Sequence, residues 1–278
     1  MSSIRTTAPT LRPARPTAPT RNQPWLLVGL LLVPLLLSGS AAVLWVVSLP
    51  RINPRAMNDL GLISVLPLPF MVALGLLTLA FVLSLSLANS RQARRWASLE
   101  LALTLAVTVL MLYGTTAFIY DEPRFSVTWL HAGFTEYVQR TGSLLTLYDA
   151  RFSWPGFFTL AAFFNKTAGL NSLLDYANWA PLVFAMLYSG PLWLILRAFS
   201  RDERVIWLGM WFFYLTNWIG QDYISPQGLN LFFYMFALAI LLTYFKQKMP
   251  VITWPRWVKR RRLAAFVRWI LATLCTPD

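Results

Sequence analysis

Residues 94–125 read RRWASLELALTLAVTVLMLYGTTAFIYDEPRF. The run 96–120 exceeds the roughly 20 predominantly apolar residues that a helix needs to cross a bilayer. Two arginines precede it, and the acidic pair Asp121 and Glu122 comes directly after it, with Pro123 closing the helix. Short cytoplasmic loops keep Lys and Arg while translocated loops lose them, so this segment reads as a span running outward from the cytoplasm.

Working outward, further apolar runs cover residues 25–49, 60–88, 177–196, 205–219 and 228–245, the fifth of these six short enough to suggest a thin or broken span. Composition agrees: 57% of residues are hydrophobic, 15% aromatic and only 13% charged, and the mean hydropathy is +0.54. Cys275 is the single cysteine, so no intramolecular disulfide forms and no thiolate metal cluster can be built. The run 25–49 is longer than a signal-peptide core and lacks a small-x-small exit, so it reads as an uncleaved first helix.

Segment 154–170 decides the topology. If it crossed, the basic cluster after Phe245 would lie outside. If it does not, 18 of the 24 Lys and Arg fall on the cytoplasmic side and six outside. That split obeys the positive-inside rule and accounts for the net charge of +13 without nucleic acid. The expected fold is therefore an all-α polytopic transmembrane helical bundle of about six spans, with its amino terminus cytoplasmic.

The chain divides into four regions. Residues 1–24, rich in Ser, Thr and Pro with four arginines and no acid, read as a disordered cytoplasmic tail. Residues 25–95 carry two spans, and 96–245 form the main module with a long external loop, 121–176. Residues 246–278 read as a basic cytoplasmic or interfacial tail, or as the truncated start of another span. In the external loop, Val127, Leu130, Phe134, Tyr137 and Val138 recur at helical spacing, the mark of an amphipathic interfacial helix. The 13 Trp suit interface anchoring.

Two external sites carry polar chemistry. The first is Tyr120-Asp121-Glu122-Pro123-Arg124-Phe125, with His131, Tyr148 and Arg151 further along the same loop. The second is the turn Gln221-Asp222-Tyr223-Ile224-Ser225-Pro226-Gln227. A solvated helix end is the simplest account of Asp121 and Glu122, a structural hydrogen bond of the lone His131, and a surface ion pair with Asp149 or Glu136 of Arg124 or Arg151.

This order of elements resembles the GT-C superfamily of membrane glycosyltransferases, of the protein O-mannosyltransferase and aminoarabinose-transferase type. Asp121, Glu122, Arg124 and Phe125 match its Asp-Glu-x-Arg-Phe element. The helix 126–140, Gly142, Pro155 and Lys166 to Gly169 match the family's juxtamembrane helix, glycine and Pro-containing interfacial helix, and Asp222 matches a second external acid. The resemblance covers about residues 96–245, the amino-terminal part of such enzymes, and departs from them at Ser153-Trp154-Pro155, where a Lys usually precedes the Pro.

The resemblance implies transfer of a sugar from a polyprenyl-phosphate donor to an acceptor hydroxyl at the external face of a bacterial plasma membrane. Asp121 would be the general base, Glu122 its partner and Asp222 the second catalytic acid. Asp121 and Asp222 would hold a divalent metal, Mg or Mn. The topology, which puts both acids outside, predicts that they come within roughly 12 Å of each other in one cavity. Arg124, His131, Tyr148, Arg151 and Gln221 would contact substrate. The implied partners are membrane lipid and the lipid-linked donor, with no nucleic acid. A transporter or flippase component, which would carry ionisable residues inside its spans, and a non-catalytic partner in cell-envelope assembly are the alternatives.

The topology predicts that cysteines placed singly at Ser143 and Ser172 are both labelled from outside by an impermeant thiol reagent. Labelling of only one would show that segment 154–170 crosses the membrane.

Overall fold

Lipid offers no partners to backbone amides, so a chain this apolar must satisfy them within helices. The computed structural model describes residues 24–88, 93–217 and 223–245, and among them helices dominate and no strand forms. In chain order the helices are α1 (Pro24–Ser48), α2 (Leu68–Leu87), α3 (Arg94–Ile119), α4 (Ser126–Thr141), α5 (Gly156–Ala168), α6 (Leu174–Ala177), α7 (Ala180–Phe199), α8 (Glu203–Thr216) and α9 (Pro226–Tyr244). The readings of residues 1–23, Gln221, Asp222 and 246–278 lie outside the described residues.

Among the described residues five helices, α1, α2, α3, α7 and α9, are long and apolar enough to cross a membrane, which makes this an integral membrane protein with an all-α bundle. The expected sixth span, 205–219, corresponds to α8, whose 14 residues reach only about 21 Å at 1.5 Å per residue. Its described part is therefore shorter than the roughly 30 Å hydrocarbon core. By the same measure α5, with 13 residues, is about 20 Å long. It packs along α4 rather than among the long helices.

Helix ends obey local chemistry. Gly142 and Gly169 take the left-handed conformation, with φ of 62° and 69°, and stop α4 and α5. Ser225 accepts from the Gly228 amide at 3.1 Å and caps α9, with Pro226 in the first turn. Asp202 caps α8 through the Arg204 amide at 2.9 Å.

Hydroxyls and close backbone approach hold the bundle together, as expected where lipid removes the hydrophobic drive between helices. Ser38 and Thr104 share a hydrogen bond of 2.9 Å, and the Trp45 indole donates to Thr115 at 2.9 Å, joining α1 to α3. Phe81 stacks on Trp211 at 4.2 Å, bringing α8 against α2. The Tyr214 hydroxyl donates to the Ala185 carbonyl at 2.8 Å and ties α8 to α7.

The α7–α9 contact depends on a missing side chain. A Cβ on Gly228 would lie 2.7 Å from the Phe184 ring, and the Tyr188 hydroxyl donates to the Gly228 carbonyl at 2.8 Å. We expect Gly228→Ala to destabilise the folded chain by about 1–3 kcal/mol through overpacking. Gly75→Ala, where a Cβ meets nothing within 4 Å, should be neutral; denaturant titration in mixed micelles compares the two.

Candidate functional site

The site is built where three connections meet at one end of the bundle. α3 stops at Ile119, and Tyr120 turns extended into the Asp121–Phe125 segment. The Tyr120 carbonyl accepts from the Asn178 amide at 3.0 Å, and its hydroxyl lies 3.3 Å from the Met57 sulfur. The exit of α3 is thus fastened to the α1–α2 connection on one side and to the start of α7 on the other. Burial raises the Tyr120 phenol pKa, with the Arg124 charge acting in the opposite sense.

Asp121 and Glu122 are exposed, and neither has a hydrogen bond or ion pair among the described residues. Arg124 lies with its guanidinium 4.4 Å from the Phe125 ring centroid. It also lines a small cavity of about 20 Å³ together with Tyr120, Phe125, Thr128, Asn178 and Tyr223. This volume suits about one water molecule.

The first loop meets the turn before α9 through Phe125 and Tyr223, with ring centroids 5.0 Å apart, and through His131. His131 is 4% exposed, its Nδ1 is 3.1 Å from the Ile224 carbonyl, and its ring stacks on Tyr223 at 6.1 Å. The edges of Phe157 and Phe158 complete its surroundings. The convergence of the two loops expected from sequence can be traced only to Tyr223, because Gln221 and Asp222 lie outside the described residues.

Arg151 and Tyr148 do not line this cavity. Arg151 makes a two-pronged ion pair with Asp149, both bonds 2.8 Å, and lies 4.8 Å from the Phe134 ring centroid. Of the two ion-pair partners considered from sequence, the structure therefore selects Asp149; Glu136 instead accepts from Ser172 at 2.6 Å. The Arg151 guanidinium holds the Asp149 carboxyl down to about 2. Tyr148 is 78% exposed and does not line the cavity.

Sequence reasoning passed over Asn178, Thr128 and Tyr223 as cavity residues. It also gave no weight to Glu100, in α3, which has a buried carboxyl oxygen with no hydrogen-bond partner among the described residues. A charge near the start of an apolar run was the available signal. Far from the loops, an apolar groove of about 650 Å³ opens between α3, α7 and α8.

Among the described residues no group of three or more His, Cys, Asp or Glu could hold a metal ion. The neighbouring carboxylates of Asp121 and Glu122 supply oxygen donors of the kind that Mg and Mn prefer, but only a pair of them. No family model, curated protein or solved structure matches the chain.

Burial lowers the His131 pKa below 6.5, outweighing the hydrogen bond to Ile224, and the Arg151 charge adds to the lowering. A base whose folded pKa is depressed leaves the unfolded loop binding more protons, so loop packing weakens as pH falls through about 6.5. Hydrogen exchange across residues 126–141, corrected for the intrinsic pH dependence of amide exchange, should therefore quicken between pH 7 and pH 5, and His131→Asn should flatten that dependence. A parent profile without such a rise would contradict the assignment.

Proposed function

We propose that the chain is a GT-C-like glycosyltransferase, or the amino-terminal part of one, using a polyprenyl-phosphate sugar at the external membrane face. The observation that carries this reading is the packing of the Asp121–Phe125 segment and α4 against the turn before α9, through Phe125–Tyr223 and His131–Ile224. Two polar loops from distant parts of the chain then border one region at the end of the long helices. That is where the phosphate of a membrane-embedded isoprenoid must sit. In this reading α8 completes a sixth span, and α4 and α5 lie along the interface, their outward Trp129, Leu160, Phe163 and Phe164 in the headgroup and upper acyl region.

The Asp121 carboxylate accepts the proton of the acceptor hydroxyl, and that oxygen forms a bond to the anomeric carbon. The bond from that carbon to the phosphate oxygen breaks, and its electron pair leaves with the polyprenyl phosphate. Arg124, at the rim of the cavity, neutralises the leaving phosphate. Arg151, committed to Asp149, serves to anchor the loop. A divalent ion held by Asp121 and Glu122, with Asp222 as the expected further ligand, would supply additional neutralisation of phosphate charge.

A transporter component is the second reading. It is favoured by Glu100, whose buried carboxyl oxygen, without a partner among the described residues, lies within a long apolar helix.

Asp121→Asn keeps the shape of the side chain but cannot accept a proton. We expect it to lower transfer to an acceptor by about 10²- to 10⁴-fold, with insertion and thermal stability unchanged. Transfer is measured with a radiolabelled polyprenyl-phosphate sugar in membranes containing the full chain. Turnover close to that of the parent would remove Asp121 from the mechanism, and activity lost only with Glu100→Gln would favour the transporter reading.

A further inference from the structure

We infer that His131 is a positioning residue: its Nδ1–H clasps the Ile224 carbonyl and thereby sets the turn before α9 against the Asp121–Phe125 loop. A carbonyl oxygen can only accept, so the nitrogen 3.1 Å away must carry the proton. The bond is enclosed on both sides. His131 is 4% exposed, Ile224 5% and Ser225 0%, so no water replaces the donor if the imidazole is removed.

The clasp is built from two rigid parts. On one side, α4 fixes the ring: Thr128 and Thr135, one turn before and one turn after His131, are buried with it on a single face. Phe158, in α5, packs against the ring with centroids 5.7 Å apart. On the other side, Ser225 caps α9 through Gly228, and Gly228 is pressed against Phe184 of α7. Ile224 thus stands between a fixed helix start and the imidazole, and Tyr223 before it is held between His131 and Phe125. A shift of this carbonyl would carry Tyr223, and with it the wall of the small cavity at Arg124.

This role is distinct from substrate contact, because among the described residues the polar partner of Nδ1 is a backbone carbonyl. The clasp stands on geometry alone; its importance for sugar transfer rests on the proposed function.

The test uses the full chain in lipid nanodiscs, with Cys275→Ser removing the native thiol and Ile224→Cys placing a buried reporter that leaves the carbonyl in place. The rate of maleimide labelling at position 224 measures how often the turn opens. His131→Leu keeps an apolar plug but has no donor, and labelling should become about tenfold faster, the order expected for one lost buried hydrogen bond. In His131→Asn the side-chain amide nitrogen takes the place of Nδ1, so the rate should return to within about twofold of the parent. An unchanged rate in the leucine variant, or equal acceleration in both variants, overturns the clasp. If the leucine variant does not fold, His131→Gln replaces it, since its amide reaches the Nε2 position; labelling as slow as with asparagine then overturns the assignment to Nδ1. Because labelling needs no turnover, a failed clasp and a failed glycosyltransferase reading give separate results.

Discussion

The thickness of the hydrocarbon core, roughly 30 Å, is the constraint on which the rest of this molecule depends. Helices of 19 residues or more, such as α9 and α3, can cross it with all backbone groups paired. Helices of 13 and 16 residues, α5 and α4, fall short, and each has one buried face and one outward face. Length thus separates the five long helices from α4 and α5, which must find another surface. The buried face of α4 finds it by carrying Thr128, His131, Phe134 and Thr135 inward. The polar members of that face then need partners, and the carbonyl of Ile224 is one of them.

The long helices were legible because a span is a composition signal, summed over some twenty residues and insensitive to any one of them. The amphipathic stretch of α4 was legible for a related reason, since Val127, Leu130 and Phe134 repeat with the period of the helix. The shortness of α8 was visible too, in an apolar run already below the usual length. What sequence could not supply was pairing at a distance. Met57 and Asn178 flank Tyr120 from 63 and 58 positions away. The partner of His131 is a carbonyl, which every residue possesses, so no residue type marks it in advance. Arg151 shows the intermediate case: an acid two positions away was apparent, but so was Glu136, and the fork geometry of the guanidinium chose Asp149.

The candidate site combines these two kinds of information. Asp121, Glu122 and Arg124 were singled out by their position at the end of a span and by resemblance to a glycosyltransferase element. Their surroundings (Tyr120 fastened on both sides, Phe125 against Tyr223) come from tertiary contacts alone. The acids are exposed while the residues behind them are held firmly, an arrangement suited to presenting a reactive group to a ligand without moving the frame that bears it.

The hydroxyl bridges between α1 and α3 also bear on how the chain is made. Ser38 and Trp45 find their partners, Thr104 and Thr115, 66 and 70 residues later in the sequence. The partners of Ser38 and Trp45 follow them in synthesis, so α1 can enter the bilayer before either interhelical bond forms. Its strongly apolar remainder makes that tolerable. Insertion and assembly are therefore separate events for this helix, and its final rotation about its own axis is chosen only after the third helix has arrived beside it.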